Sequence, residues 1–315
     1  RFIKISETPT ISIGKISTNG SSTLVFVTKK GEIYTIKDNS AELFTDTKIL
    51  NLTSAAILTD SIILQQENLG NFKYFLFKAT DNSIGSLNVD GDVVGLLTSP
   101  DQKRIILIKN NEEGSSLFLS DKNLKDQIKI FSSPLTTWKF DWVSSNKITI
   151  SSTPSSGVKG YSYILDVNTS KLSNIPIDQP ALTIKFNEST DKAIFNSSQN
   201  GDISTFLLTN KKVVDLSLKT LVEKCIWPKN EFYIICAVPN KINLGTNYPD
   251  SWYQGINSFS DNFWQINPET GESYVLIEDL DDEVDQVVDV ISPMKVDDKI
   301  YFTNKLDSNL WVFNL

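Results

Sequence analysis

The chain has 315 residues, 40% of them hydrophobic, and a formal charge of −8. The apolar fraction is enough for a substantial core, while the acidic balance argues against nucleic acid as a partner, since that demands a basic face. There is no histidine, which excludes Ser-His-Asp and Cys-His catalysis and His-ligated zinc, copper and non-haem iron.

In chain order, the first element is RFIKIS (1–6), an apolar strand with no unit of its own. After it a short apolar strand recurs seven times: TLVFV (23–27), IILQQ (62–66), IILIK (105–109), ITISS (148–152), AIFNS (193–197), YIICA (233–237) and IYFTN (300–304). The steps between their first residues are 39, 43, 43, 45, 40 and 67. A period near 40 in an all-strand chain marks a β-propeller, at about 40–45 residues per blade. Each run is close to continuously apolar, which suits a strand buried on both faces.

Turns rich in Pro, Asp, Asn, Ser and Lys precede these runs, as in SPDQK (99–103), VSSNK (143–147), NESTDK (187–192), WPKNE (227–231) and VDDK (296–299). Such residues favour tight turns through fixed φ, side-chain-to-backbone bonds or tolerance of left-handed geometry. A third, alternating strand carrying at least one aromatic follows each run, from EIYTIK (32–37) to NLWVFNL (309–315). The hairpins VNTSKL (167–172) and NPETGE (267–272) lead to a fourth strand, with Gly271 suited to a left-handed bulge. The last unit stops after its third strand. RFIKIS is therefore expected to supply the fourth strand of the seventh blade, closing the ring and removing open edges. The predicted fold is all-β: one seven-bladed β-propeller of four-stranded antiparallel blades over 1–315, nearly complete as given.

The two cysteines, Cys225 and Cys236, flank a strand-turn-strand segment that sets them on neighbouring strands, roughly opposite. The readings are a cross-strand disulfide, pointing to an oxidising, extracytoplasmic setting, or a pair of buried thiols. No apolar run reaches the ~18 residues of a membrane helix. The chain opens on Arg1 rather than Met, as a trimmed or mature chain would, so the lack of a signal or membrane anchor within it decides nothing. The basic residues are 28 Lys and only two Arg, Arg1 and Arg104, which disfavours sites that grip carboxylate or phosphate with a planar fork.

The sixth unit breaks the period between its second and third strands, at 239–261. Long irregular connections are usually functional. This one holds Tyr248, Asp250, Trp252, Tyr253, Gln254 and Phe259. Aromatics with polar tips suit protein contacts and sugar faces; the competing reading is a loop that packs its own aromatics over the blade or plugs the channel. Six carboxylates crowd 278–286: Glu278, Asp279, Asp281, Asp282, Glu283 and Asp285. Oxygen ligands at that density suit Ca²⁺, but the EF-hand glycine is missing and a solvated acidic loop is the plainer reading. Otherwise no metal or cofactor is expected. No G-x-S-x-G, P-loop or G-x-G-x-x-G is present.

SPDQKRIILI (99–108) resembles the S-P-D-G-K-x-I repeat of WD40-like (PD40, TolB-like) propellers, and the other units carry weaker versions. There is no Trp-Asp dipeptide closing each blade, no Gly-His and no sialidase Asp-box. KCIWPKNEFYIICAVP (224–239), YPDSWYQG (248–255) and DNFWQI (261–266) are similar to extracytoplasmic bacterial propellers of unassigned function. The resemblance implies architecture and carries over no catalytic residue. The expected function is a non-enzymatic extracytoplasmic interaction or scaffold module, held at a membrane by an N-terminal segment and binding another protein. The alternative is a carbohydrate-binding or carbohydrate-active propeller that meets a cell-surface glycan through the aromatic loop.

Overall fold

The structure, a computed structural model, describes residues 2–18, 20–89, 91, 93–209, 212–243, 246–276 and 287–315. The first strand, β1 (Phe2–Lys4), precedes the blades. Blade one is β2 (Thr10–Thr18), β3 (Ser21–Thr28), β4 (Glu32–Lys37) and β5 (Ser40–Asp46). Blade two is β6 (Leu52–Ile57), β7 (Ser61–Asn68), β8 (Asn71–Lys78) and β9 (Ser83–Leu87). Blade three is β10 (Val93–Thr98), β11 (Ile105–Asn111), β12 (Gly114–Ser120) and β13 (Ile128–Ser133). Blade four is β14 (Trp138–Ser144), β15 (Lys147–Ser152), β16 (Ser162–Asp166) and β17 (Leu172–Asn174). Blade five is β18 (Thr183–Phe186), β19 (Ala193–Gln199), β20 (Asp202–Leu208) and β21 (Val213–Asp215). Blade six is β22 (Cys225–Ile226), β23 (Ile234–Pro239), β24 (Asp261–Ile266) and β25 (Ser273–Val275). Blade seven is β26 (Val290–Val296), β27 (Lys299–Asn304) and β28 (Leu310–Asn314).

The seventh sheet has the order β1-β28-β27-β26, with Phe2 opposite Phe313 and Lys4 opposite Trp311. The N-terminal strand thus completes the last blade, as the sequence implies. Among the described residues every strand pairing within the seven sheets is antiparallel, and each except β1 with β28 joins strands adjacent in sequence.

The turns explain why each hairpin folds back. In blade three the Ser99 hydroxyl donates to Asp101 at 2.6 Å and accepts from the backbone N–H of Arg104 at 2.9 Å. Gln102, Thr190, Asn230 and Asp297 each take a left-handed conformation in four such turns, with φ of 57°, 61°, 61° and 51°. Ser170 and Gly271 take the left-handed place in the outer hairpins, with φ of 58° and 80°.

The core is divided by seam. Each second strand is buried on both faces; β23 is buried throughout. Ile16, Val25 and Val27 of blade one pack on Ile62, Leu64 and Phe77 of blade two. Leu24 and Phe26 pack on Tyr301, Leu310 and Val312 of blade seven, which closes the circle. Burying each such side chain is worth about 1.5–3 kcal/mol. Cys225 and Cys236 are register partners and form a disulfide across β22 and β23. The bridge is buried among Ile194, Leu207 and Ile234 in the seam between blades five and six.

Candidate functional site: the insertion over the channel mouth

The connection from β23 to β24 leaves blade six and crosses the top of blade five. There the Ser198 hydroxyl donates to the Tyr248 carbonyl at 2.5 Å. A Cβ on Gly201 would lie 2.0 Å from the Thr246 carbonyl oxygen, so this crossing needs glycine. The chain then forms a single helical turn, α1 (Asp250–Tyr253). The Asp250 carboxylate reaches blade four and accepts from the Ser155 hydroxyl at 2.8 Å and the Ser156 N–H at 2.6 Å. The insertion therefore ties together three blades.

Its aromatics hold it down. Tyr248, Trp252 and Phe259 are 1%, 3% and 3% exposed and join Ile203 and Leu221 in a core of their own. The Tyr248 and Phe259 rings are 5.2 Å apart, and Trp252 stacks on Phe259 at 6.3 Å. Of the six loop residues singled out from sequence, these three present no face to solvent; for them the self-packing reading describes what is found. Asp250 and Tyr253 are half-buried and Gln254 is exposed.

Beneath the aromatics lies a buried ionic cluster. Lys224 ends a 3₁₀ turn (Val222–Lys224) and is fully buried. Its ammonium sits 2.5 Å from Asp261 Oδ2, pairs with Asp289 and donates to the Val290 carbonyl at 3.1 Å. The same ammonium lies over the Phe259 and Trp252 rings at 5.0 and 5.2 Å. Asp289 also accepts from Trp252 Nε1 at 3.0 Å and from the Phe259 N–H at 3.1 Å. Asp261 accepts the Val290 N–H at 2.7 Å, yet its other oxygen is buried without a partner among the described residues. Burial outweighs the Lys224 charge and pushes the Asp261 carboxyl up to about 6. A buried ion pair adds little net stability but is costly to break, so the cluster fixes where the insertion sits more than it strengthens the ring.

Closer to the axis, Lys139 of β14 donates to Glu223 at 2.6 Å, and its ammonium lies 3.8 Å above the Tyr253 ring. The Tyr253 hydroxyl donates to the same Glu223 oxygen. Burial alone would raise the Glu223 carboxyl, but the Lys139 charge and the two hydrogen bonds hold it below its ordinary value. Burial, together with the Glu223 charge, pushes the Tyr253 hydroxyl well up, so it remains a donor.

Sequence reading passed over Lys139, Glu223, Lys224, Asp261 and Asp289. Two of them carried a signal. Lys224 stands directly before the buried run CIW, and Asp289 within VVDVI; a charge inside an apolar run must find a buried partner. The acidic run at 278–286 lies outside the described residues, and among the described residues no group of three or more His, Cys, Asp or Glu is placed to hold a metal. No helix among the described residues is long and apolar enough to cross a membrane.

No family model matches the chain, and no curated protein matches it. Its fold is similar to many solved structures. The tricorn protease aligns over 100% of this chain with a TM-score of 0.63 at 8% identity. This chain spans only about a third of that protein, 34%. The propeller domain of the trilobed protease from Pyrococcus furiosus aligns over 84% of this chain and 80% of its own, with a TM-score of 0.55 and 15% identity. Oligogalacturonate lyase aligns over 99% and 98%, with a TM-score of 0.60 and 9% identity. At such identities the likeness shows the fold alone: a seven-bladed propeller. The trilobed domain has an open velcro topology; here β1 pairs with β28.

Proposed function

We propose that this chain is a non-enzymatic, extracytoplasmic interaction module of the WD40-like (PD40, TolB-like) kind, and that it meets a partner protein through the insertion over blades four to six. The observation that carries this reading is the anchoring of the insertion. Three buried aromatics and the Asp250 bridge hold it from below, while Gln254 and Ile256 face solvent, Ile256 at 71% exposure. A loop already ordered before it meets a partner loses little further entropy on binding. The disulfide supports an oxidising compartment.

Each carboxylate of the site is engaged through at least one oxygen, which supports a non-enzymatic role. Asp261 and Asp289 share Lys224, Glu223 is held by Lys139 and Tyr253, and Asp250 grips blade four. Glycan capture by the aromatic loop is the weaker reading, because Trp252 is buried and Tyr253 packs under Lys139.

A photo-crosslinking residue at Ile256, compared with one at Leu172 on the outer rim, tests the reading in the full-length protein on its native cells. A discrete protein adduct at Ile256 and none at Leu172 supports it. Equal labelling at both, or none at Ile256, sinks it.

A further inference from the structure

The hairpin turns between first and second strands gather at the end of the ring opposite the insertion. There Ile226, Trp227, Pro228 and Lys229 of blade six line two cavities. One, of about 1000 Å³, reaches blades four and five and has five carboxylates and three lysines in its wall. The other, of about 610 Å³, is lined from blades one, two, three, six and seven. Its charge is of one sign: Lys15, Lys229 and Lys295 stand in its wall, with no carboxylate among the described lining residues. In a chain of charge −8 that wall runs against the overall balance.

Lys295 is occupied, donating to the Asp297 carbonyl at 2.7 Å and pairing with Glu231 at 3.5 Å. Lys15 and Lys229 are exposed and have no ion-pair partner among the described residues. Their flexible stems let both ammoniums turn to a charge at the cavity.

The remaining wall is largely apolar and set in advance. Gln102, in the turn of blade three, donates to the Lys15 and Ile57 carbonyls at 3.0 and 3.2 Å, which ties that turn to blades one and two. The Trp227 indole N–H donates to the Lys185 carbonyl at 3.1 Å, so its ring is oriented before anything binds. Ile13, Ala55 and Met294 extend the apolar surface. A preformed apolar cavity with a few charged groups is the usual form of a small-molecule site, and ~300–1,000 Å³ is its usual size.

The charges select the ligand. A cation would be repelled by three ammoniums, and a neutral molecule would leave them unanswered. A polyanion spanning the mouth would overlie the carboxylates of the neighbouring cavity. Lysine carries its charge as a compact point and does not match the plane of a carboxylate as arginine does. The wall therefore reads the sign of the head group more than its shape.

We propose that this cavity binds a small organic monoanion with an apolar body, its head group met by Lys15 and Lys229 and its body by Trp227. The site lies at the opposite end of the ring from the insertion, and its failure would leave the interaction reading untouched.

The test is equilibrium binding to the whole chain, by calorimetry and saturation-transfer NMR. The anions are octanoate, 4-phenylbutyrate and octane-1-sulfonate; the comparators are 4-phenylbutan-1-ol, octylamine and inorganic sulfate. At least one carboxylate and the sulfonate are expected to bind at millimolar affinity or better, and every comparator at least tenfold more weakly. Lys15→Gln/Lys229→Gln, at two exposed positions, is expected to weaken the anions at least fivefold with Tm unchanged. Lys30→Gln, exposed in the β3–β4 turn at the insertion's end of the ring, is expected to leave them unchanged. Failure of the anions to bind, a comparator that binds as well, or an unchanged double variant overturns the proposal. So does equal weakening by Lys30→Gln, which would mark diffuse attraction in place of a site.

Discussion

Asp250, on the insertion of blade six, accepts a hydrogen bond from Ser155 of blade four at 2.8 Å, and so bridges the whole width of blade five. The bond connects residues 95 apart in sequence, and the Ser156 N–H reinforces it. Hydrogen bonds to a charged group are worth about 1.5–3 kcal/mol net when buried; here the carboxylate is half-buried. Asp250→Ala is expected to destabilise the protein by only about 1–2 kcal/mol. Amide exchange should accelerate across 246–258 while the blade strands keep their protection. Uniformly faster exchange would show that the bridge is no local clamp.

Lys224→Met should be far more damaging. It leaves Asp261 and Asp289 buried without their cation, at a cost of about 3–5 kcal/mol. Adding Asp261→Asn and Asp289→Asn to that variant should restore part of the loss in urea denaturation, because the uncompensated charges are gone.

The raised Asp261 carboxyl gives a signed pH dependence. Its folded value of about 6 lies above the ordinary 3.8. Its contribution is therefore full below about pH 4 and lost as pH rises through about 6. The difference corresponds to at most about 3 kcal/mol. Glu223, held low, acts in the opposite sense: its contribution is present above the ordinary carboxylate range and fades as pH falls. The clean readout is thus a difference: subtracting the stability of Asp261→Asn from that of the native chain should give a curve that falls between pH 4 and 6. A flat difference would refute the assignment.

Reduction of the Cys225–Cys236 bridge, whose cysteines are 11 residues apart, should lower stability by about 2–3 kcal/mol. Melting with and without reductant measures this, with Cys225→Ala/Cys236→Ala as the covalent control.

Trp252 and Ile256 lie in the same loop and should behave oppositely. Trp252→Ala removes a 3%-exposed ring with its bond to Asp289 and should cost about 3–5 kcal/mol. Ile256→Arg, at a 71%-exposed position, should stay within about 0.5 kcal/mol. Equal effects would contradict the buried anchoring of the loop.

The blades were legible in the chain because their signal is local and repeated. Every apolar run from TLVFV to IYFTN lies in or at a second strand, and RFIKIS supplies the closing strand. One turn sets Cys225 and Cys236 on opposed strands; that reading fits a bond or two buried thiols alike, and the structure shows the disulfide. The insertion was harder to read. Whether Trp252 faces a partner or the core depends on Asp289 and Lys224, 37 and 28 positions away, on other elements. Composition cannot distinguish an aromatic held by such contacts from one offered to solvent. ITISS counts among the apolar runs, and its alternating hydroxyl residues Thr149 and Ser151, both buried in the ring, escape that reading.

Because Phe2 faces Phe313 in an antiparallel pair, the start of β1 lies beside the end of β28. Tension applied at Phe2 and Asn314 would load these pairs one at a time, as in peeling tape, instead of shearing all of them together. The ring then has a weak mechanical direction at this seam, and a tether at either end sets whether pulling unravels blade seven first or spares it.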